Sequence, residues 1–261
     1  MRQLELTSVD GVRLEAVRHS VVGGVHRGAV LLVHGFGADM AVGGMFVPLA
    51  ERLADASFTV LRFSFRGHGG SGGTPRGVTI AGELLDLQAA VEHLLGSSGG
   101  PLAIVASSFG AVSTTLSLPW LGERLDRFAL WAPVLDLRRT FLDPELPWGE
   151  ENFGPDQRKL LETQGFLTLD GGFEAGRVLF DEFRHYDPLK CFTASSPPAL
   201  VVHGDEDASV SYDIARRAAG GRPNTRFHTA RGADHGFGAP HRRAEVVAIT
   251  AQWLAGGPGT P

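Results

Sequence analysis

The chain has 261 residues, of which 43% are hydrophobic and 20% are charged, so it can bury a substantial core. A net charge of −5 and a pI near 6.0 leave no basic excess, and nucleic acids or anionic membranes are therefore not expected partners. The single cysteine, Cys191, excludes an internal disulfide, and no apolar run reaches the roughly 18 residues of a membrane span. We expect a soluble, cytoplasmic protein.

Two short strands are predicted at the start of the chain, over residues 4–9 and 12–19. They are joined by Asp10-Gly11, a dipeptide typical of tight β-hairpins. Buried strands then alternate with helices whose apolar residues recur at intervals of three and four. Residues 29–33 form a continuous apolar run, and further strands are predicted over residues 58–63, 102–106, 128–131, 199–202 and 225–229. The alternation predicts an α/β fold with a mostly parallel, eight-stranded sheet covered by helices on both faces.

Residues 134–187 interrupt this alternation, since they contain no clear buried strand and are rich in proline, glycine and acidic residues. A structureless loop of that length is unusual in a compact domain, so we interpret the segment as a small inserted cap. The core domain then consists of residues 1–133 and 188–261. Aromatic residues recur along the segment, and most of them are expected to form a small core within it: Phe141, Trp148, Phe153, Phe166, Phe173, Phe180, Phe183 and Tyr186.

Ser108 is the candidate nucleophile, because it lies between a strand that ends at Ala106 and a helix that begins near Phe109. A sharp strand-to-helix turn holds its serine in a strained backbone conformation and exposes the hydroxyl. Strand and helix approach closely there, so small residues are needed two positions before and after the serine. Ala106 and Gly110 meet that need. Ser107 is the alternative nucleophile, but it lies one residue before the apex of the turn.

A serine hydroxyl becomes a good nucleophile when a nearby base removes its proton. His235 is the candidate base, because it lies between the last predicted strand and the final helix, from where it can reach the sheet edge. A carboxylate that orients the histidine should lie between the two residues in sequence, after another strand. Asp205, Glu206 and Asp207 all follow the strand at 199–202, and Asp136 follows the strand before it.

A glycine-rich segment from Gly67 to Gly72 has the letter pattern G-x-G-x-x-G of a dinucleotide site. No helix opens at its end, because Thr74-Pro75-Arg76-Gly77 follows, and no acidic residue stands at the end of a following strand to bind a ribose. The sequence also lacks a zinc-binding signature. We therefore expect no nucleotide, metal or other cofactor.

Several motifs together resemble the α/β-hydrolase superfamily, over nearly the whole chain. Residues 106–110 are similar to its G-x-S-x-G nucleophile turn, with alanine in place of the first glycine. The motifs H-G-F at 34–36, R-G-H-G at 66–69, H-G-x-x-D at 203–207 and G-A-D-H at 232–235 are most similar to cinnamoyl and feruloyl esterases and related acyl hydrolases. The resemblance implies a serine hydrolase with the α/β-hydrolase fold and a cap.

The resemblance also assigns residues to roles. It selects Asp207 as the acid and gives the order Ser108, Asp207, His235 that is typical of this superfamily. It places the oxyanion loop after the first buried strand, so that the backbone N–H groups of Phe36 and Phe109 are the expected oxyanion donors. In the same loop, His34 is interpreted as structural.

The implied activity is hydrolysis of a small to medium carboxylic ester, aromatic acyl groups included, through an acyl-enzyme and without a cofactor. Trp148 of the cap is interpreted as a residue of the acyl pocket. The alternatives that stay open are an amide, a thioester or a C–C bond cleaved by the same triad, and a protein of this fold that binds a small ligand without turnover. The oligomeric state is also open, with a homodimer as one option.

Overall fold

A computed structural model describes residues 1–21, 26–169 and 172–256 of the chain. Its strands are β1 (Arg2–Thr7), β2 (Arg13–His19), β3 (Gly28–Val33), β4 (Phe58–Phe63), β5 (Leu102–Ser107), β6 (Leu125–Trp131), β7 (Phe166–Leu169), β8 (Phe173–Gly176), β9 (Ala199–Gly204) and β10 (Thr225–Ala230). Eight of them form one sheet in the order β1-β2-β4-β3-β5-β6-β9-β10. β1 pairs antiparallel with β2, and β2 pairs antiparallel with β4. The other pairs in the sheet, which join β4, β3, β5, β6, β9 and β10 in that order, are parallel.

The α-helices follow the strands in the alternation that the sequence predicts. They are α1 (Phe46–Asp55), α2 (Ile80–Ser97), α3 (Gly110–Leu121), α4 (Pro147–Phe153), α5 (Pro155–Gln164), α6 (Arg177–Glu182), α7 (Pro188–Ala194), α8 (Tyr212–Gly220) and α9 (Pro240–Ala255). A π-helix spans Arg138–Leu142, and short 3-10 turns span Pro75–Gly77 and Gly122–Arg124. In the described part of the chain, no helix is long and apolar enough to cross a lipid bilayer.

The central strands are buried on both faces, which explains their unbroken apolar sequences. In β3, Leu31 and Val33 pack into the core that includes residues of α2, α3 and α8, whereas Val30 and Leu32 pack into the core formed with α1 and α9. Alternate side chains of a strand point to opposite faces, so a strand between two helical layers must be apolar at every position. The predicted α/β-hydrolase fold, with its mostly parallel eight-stranded sheet, is confirmed.

The predicted and observed strand ends differ where local hydrogen bonds decide them. The first strand was predicted to reach residue 9 but ends at Thr7, because Ser8 begins the hairpin turn: its amide donates to Val12 O (2.8 Å) and its carbonyl accepts from Gly11 N (2.9 Å). The strand predicted at 128–131 begins earlier, at Leu125, where it pairs with Leu102 of β5. The extension contains the polar residues Asp126 and Arg127, so the apolar sequence pattern does not reveal it as part of the strand.

The segment predicted as a cap contains the π-helix, α4, α5, the β7–β8 hairpin and α6. Its boundaries at 134 and 187 stay a prediction. Four of its phenylalanines, Phe141, Phe153, Phe180 and Phe183, are buried in a third core. That core also includes Phe109 and Val112, so the segment packs directly on the start of α3.

Arg66 anchors the glycine-rich loop that follows β4. Its guanidinium binds both oxygens of Asp86 on α2, whose side chain is fully buried, and it also pairs with Asp10 in the first hairpin. The Asp86 carboxylate additionally accepts the backbone N–H of Arg66 (2.9 Å). This ion pair therefore joins α2, the loop and the β1–β2 hairpin.

Replacing Asp86 by alanine should destabilise the protein by about 3 kcal/mol, because Arg66 would keep a partly buried charge without its main partner. Urea denaturation of wild type and variant measures the difference. Glu92→Ala on the same helix is the matched control, since the pair that Glu92 forms with Arg124 is exposed and its loss should lower the stability by at most about 1 kcal/mol. Equal losses in both variants would contradict the expected role of the buried pair.

Candidate active site

Ser108 occupies the turn between β5 and α3 with a φ of 52°, in the left-handed region that non-glycine residues rarely adopt. Hydrogen bonds hold this conformation on both sides. The amide of Ser108 donates to Trp131 O (2.8 Å), and its carbonyl accepts from Ala111 N and Val134 N (both 3.1 Å). The turn that the sequence predicts is thus fixed to β6 and to the start of the cap segment.

Two glycines allow the backbone around Ser108 to pack against the loop that follows β3. A Cβ atom on Gly110 would lie 2.3 Å from the carbonyl oxygen of His34, and a Cβ atom on Gly35 would lie 2.9 Å from both Ser107 O and Ser108 Cβ. Real Cβ contacts are not that short, so both positions require glycine. The close approach brings the 34–37 loop next to Ser108.

Ser108, His235 and Asp207 form one chain of hydrogen bonds. Asp207 lies in the loop after β9 with a fully buried side chain, and His235 lies in the loop between β10 and α9 with a partly exposed side chain. His235 Nδ1 is 2.8 Å from Asp207 Oδ2, and His235 Nε2 is 2.9 Å from Ser108 Oγ. A carboxylate oxygen can only accept, so the proton of the ring lies on Nδ1, and Nε2 is free to accept from the serine hydroxyl.

Four donors surround the Asp207 carboxylate. Oδ1 accepts the backbone N–H groups of Ser209 (2.8 Å) and Val210 (2.9 Å), while Oδ2 accepts from His235 and from His203 Nε2 (3.0 Å). Burial alone would raise the pKa of Asp207, but the hydrogen bonds from His203 and His235 outweigh it and hold the pKa well below the usual aspartate range. Asp207 is therefore ionised at neutral pH.

The three other acids considered from the sequence have different surroundings. Asp205 Oδ1 accepts the backbone N–H of Gly232, and Asp136 Oδ1 accepts the backbone N–H of Arg139 (2.9 Å) at the start of the π-helix. Glu206 is exposed. Of the four acids, Asp207 is thus the one that accepts the hydrogen bond from His235 Nδ1. The alternative serine, Ser107, is the last residue of β5 and keeps a strand conformation.

The 34–37 loop is tied to the glycine-rich loop by two histidines. His34 is buried, accepts the backbone N–H of Phe65 at Nε2 (2.8 Å) and donates from Nδ1 to Gly35 O (2.7 Å). Burial lowers the pKa of His34 to about 3, so the ring is neutral and can make both bonds. His68 Nε2 accepts from Gly37 N (3.2 Å). These contacts support the structural interpretation of His34.

The glycine-rich loop itself packs on the edge of the sheet. Gly72 N donates to Arg13 O (2.8 Å), and Gly70 N donates to the Glu15 carboxylate (2.8 Å). Two of its amides are therefore used inside the protein, in the way expected of a structural loop. Among the described residues, no group of three or more His, Cys, Asp or Glu side chains is arranged to hold a metal ion.

A cavity of about 240 Å³ opens at Ser108. Its wall is mainly aromatic and aliphatic, with hydroxyl groups from the core and from the cap. The lining residues are Phe36, Ser108, Phe109, Val134, Thr140, Phe141, Trp148, Ser209, Val210 and His235. Trp148 thus lies at the cavity for which the sequence analysis selected it, and its contact with substrate stays a prediction. Phe36 and Phe109 also line the cavity, and the oxyanion role of their amides stays a prediction.

Part of this wall comes from residues that the sequence motifs do not indicate. Thr140 and Phe141 come from the π-helix, whose position no motif indicates, and Thr140 Oγ1 donates to Asp136 O (2.7 Å). Ser209 and Val210 follow Asp207 closely, so their proximity to the acid was an available signal. His203, the first letter of H-G-x-x-D, was likewise not singled out as a partner of Asp207.

A sequence model of the alpha/beta hydrolase family matches residues 30–250, and the chain belongs to that family. The match spans the turn at Ser108, the segment predicted as a cap and the loops that carry Asp207 and His235. A comparison with curated protein sequences gave no significant match.

Solved structures with the same fold include several esterases. Est1E from Butyrivibrio proteoclasticus with ferulic acid bound superimposes with a TM-score of 0.81 at 19% identity, covering 96% of this chain and 97% of that one. Mouse alpha/beta hydrolase domain-containing protein 10 gives 0.78 at 18% identity, with coverage of 97% and 98%. An esterase from Pyrococcus furiosus gives 0.71 at 20% identity, with coverage of 97% and 90%. At these identities the similarity establishes the fold.

Gly110→Ala should lower the stability by about 1–3 kcal/mol, because the new methyl group would collide with the backbone of the 34–37 loop. Thermal unfolding of the purified variants measures the effect. Gly96→Ala is the matched control, since Gly96 lies in α2 with open space at its Cβ position and should gain about 0.5–1 kcal/mol from helix propensity. A Gly110→Ala variant as stable as wild type would contradict the close packing at the turn.

Proposed function

We propose that the chain is a serine hydrolase of carboxylic esters that acts through an acyl-enzyme. Ser108 is the nucleophile, His235 the general base and Asp207 the residue that orients the histidine. The observation that carries the proposal is the continuous hydrogen-bond chain from Asp207 Oδ2 through both ring nitrogens of His235 to Ser108 Oγ. Membership of the alpha/beta hydrolase family supports it.

The first half of the reaction forms the acyl-enzyme. Ser108 Oγ attacks the ester carbonyl while His235 Nε2 takes its proton, and the carbonyl oxygen becomes an oxyanion. The backbone N–H groups of Phe36 and Phe109, two residues that line the cavity, donate to that oxyanion. His235 then gives its proton to the departing alcohol as the tetrahedral intermediate collapses.

The second half reverses these roles with water. His235 Nε2 takes a proton from a water molecule, whose oxygen attacks the acyl carbonyl, and then returns the proton to Ser108 Oγ as the acid leaves. The ring carries a positive charge in both tetrahedral steps. Ionised Asp207, held by two backbone N–H groups at Oδ1, stabilises that charge and keeps the proton on Nδ1.

The cavity favours a small to medium acyl group of apolar or aromatic character. At about 240 Å³ it is smaller than the roughly 300–1,000 Å³ of most ligand pockets, and Phe36, Phe109, Phe141 and Trp148 make much of its wall aromatic. An aromatic wall stabilises a flat ring by stacking or edge contacts. The ferulic acid bound to Est1E, a structure with the same fold, supports aromatic acyl groups as substrates to test.

A panel of leaving groups distinguishes the ester from its alternatives. p-Nitrophenyl esters, methyl ferulate, an acyl-CoA and aminoacyl anilides are compared at equal concentration. We expect the highest kcat/KM for esters of short or aromatic acids. A preference for the thioester or anilide would replace the ester assignment, and binding without turnover of any of them would favour a ligand-binding protein of this fold.

Wild-type protein treated with a fluorophosphonate should gain a single adduct in intact-mass spectrometry, and Ser108→Ala should gain none. The reason is that the probe reacts with a serine whose proton a neighbouring base can take. Ser107→Ala is the matched control and should be labelled like wild type, because Ser107 is a strand residue one position before the turn. An adduct that persists in Ser108→Ala, or is lost in Ser107→Ala, would overturn the assignment of the nucleophile.

Asp207→Asn should lower kcat by about 10⁴-fold, because an amide at this position no longer holds the proton of His235 on Nδ1. Initial rates on a p-nitrophenyl ester measure the loss. The control is Asp205→Asn in the same loop, for which we expect kcat within a few-fold of wild type, since Asp205 accepts from the amide of Gly232. If Asp205→Asn is the more damaging change, the acid has been misassigned.

A further inference from the structure

His203 is a buried, titratable side chain to which the mechanism above gives no part. It is the fifth residue of β9, and its side chain is completely buried. Its Nε2 atom lies 3.0 Å from Asp207 Oδ2 and 3.2 Å from Val210 O. The ring therefore contacts both the proposed catalytic acid and the loop that carries it.

The surroundings of His203 determine which ring nitrogen carries a proton. Nε2 faces two oxygen atoms that can only accept, so the proton lies on Nε2. Nδ1 is buried and has no hydrogen-bond partner within the described residues. A buried polar atom without a partner costs about 1–3 kcal/mol, a cost that an aliphatic residue of similar size would avoid. The hydrogen bonds that this imidazole makes within the described residues are therefore those of its Nε2 donor.

This donor acts on the same oxygen that binds His235. Asp207 Oδ2 accepts two imidazole N–H groups, while Oδ1 accepts two backbone N–H groups. Because each carboxylate oxygen accepts two hydrogen bonds, the plane of the carboxylate is fixed relative to β9. The His203 donor also shares the negative charge of Oδ2, so less of that charge acts on the ring of His235.

We propose that His203 is a positioning residue of this active site, whose Nε2–H fixes the Asp207 carboxylate and limits how strongly that carboxylate stabilises protonated His235. The inference rests on the proposed function, because it assigns His203 a role in the same triad. In this role His203 contacts Asp207 and does not contact the substrate.

The other ionisable side chains near His203 and Asp207 bind other groups or are exposed to solvent. Tyr212 from α8 packs its ring edge-on against His203 (5.8 Å between ring centroids), and its hydroxyl bonds Thr229 of β10. In the neighbouring loops, Asp205 binds the amide of Gly232, Asp234 binds the amide of Gly238, and Glu206 is exposed. Among the described residues, His203 and His235 are the titratable side chains that hydrogen-bond Asp207.

The test compares His203→Leu, which removes the donor, with His203→Gln, whose side-chain amide can restore an N–H near the Nε2 position. For His203→Leu we expect kcat/KM to fall about 10-fold or more. We also expect the acid limb of its pH profile to move up by about half a pH unit or more, because a carboxylate with one donor fewer stabilises imidazolium better. His203→Gln should keep most of the activity and the wild-type acid limb.

His19→Leu is the control, because His19 is also buried but lies on β2 and bonds Arg62, away from the triad. It should leave the acid limb in place even if it lowers stability. Circular dichroism checks that each variant is folded. If His203→Leu does not fold, His203→Asn takes its place, since its shorter amide does not reach Asp207 and should produce the same shift.

The titration of His235 followed by NMR, in a Ser108→Ala background, gives a readout that does not depend on turnover. The His203→Leu change should raise the pKa of His235 there as well. A folded His203→Leu variant with an unmoved pKa would overturn the proposal even if its activity falls, because a purely structural role predicts that result. An equal shift in His203→Gln would also overturn it. Failure of the proposed serine-hydrolase function would instead appear as wild-type protein without a fluorophosphonate adduct.

Discussion

The site depends on the direct backbone contact between the turn at Ser108 and the loop that follows β3. Gly110 and Gly35 have no side chain at the two points where the chain segments meet, and a methyl group at either would overlap backbone atoms. Ser108, which has a left-handed backbone conformation, therefore lies directly against the 34–37 loop. His235, in the loop after β10, then reaches the hydroxyl of Ser108, and Asp207, in the loop after β9, binds the other side of the His235 ring. Strain at the serine is balanced by the hydrogen bonds of its own amide and carbonyl.

Most of the core could be predicted from the sequence because its physical signals are local. Strands buried on both faces, such as β3, must be apolar throughout, and the hairpin turn at Asp10-Gly11 is encoded in two residues. The triad residues lie at strand ends, where the fold gathers side chains from distant parts of the chain. Their selection needed the resemblance to a family as well, since Asp205, Glu206 and Asp207 have equal claims by position alone.

The cavity wall and the surroundings of the acid could not be predicted in the same way. Thr140 and Phe141 reach the cavity through a π-helix, whose extra residue per turn leaves no periodic trace in so short a segment. Most cap aromatics pack among themselves, whereas Trp148 also faces the cavity, and the sequence alone does not distinguish these positions. The bond from His203 to Asp207 depends on how the loop after β9 folds back over the strand, which is a property of tertiary structure.

Phe36 contacts the segment predicted as a cap and also lines the cavity at Ser108, which limits how the cavity can be enlarged. Its ring lines the cavity and meets Phe173 of the β8 strand (4.7 Å between centroids), while Phe173 also stacks on His68, which binds Gly37 in the same loop. One residue therefore forms part of the cavity wall and, through its backbone, belongs to the loop beside Ser108. Substitutions that enlarge the pocket here would disturb the loop as well. The cavity is more safely enlarged at Thr140, which also lines it and whose backbone lies outside that loop.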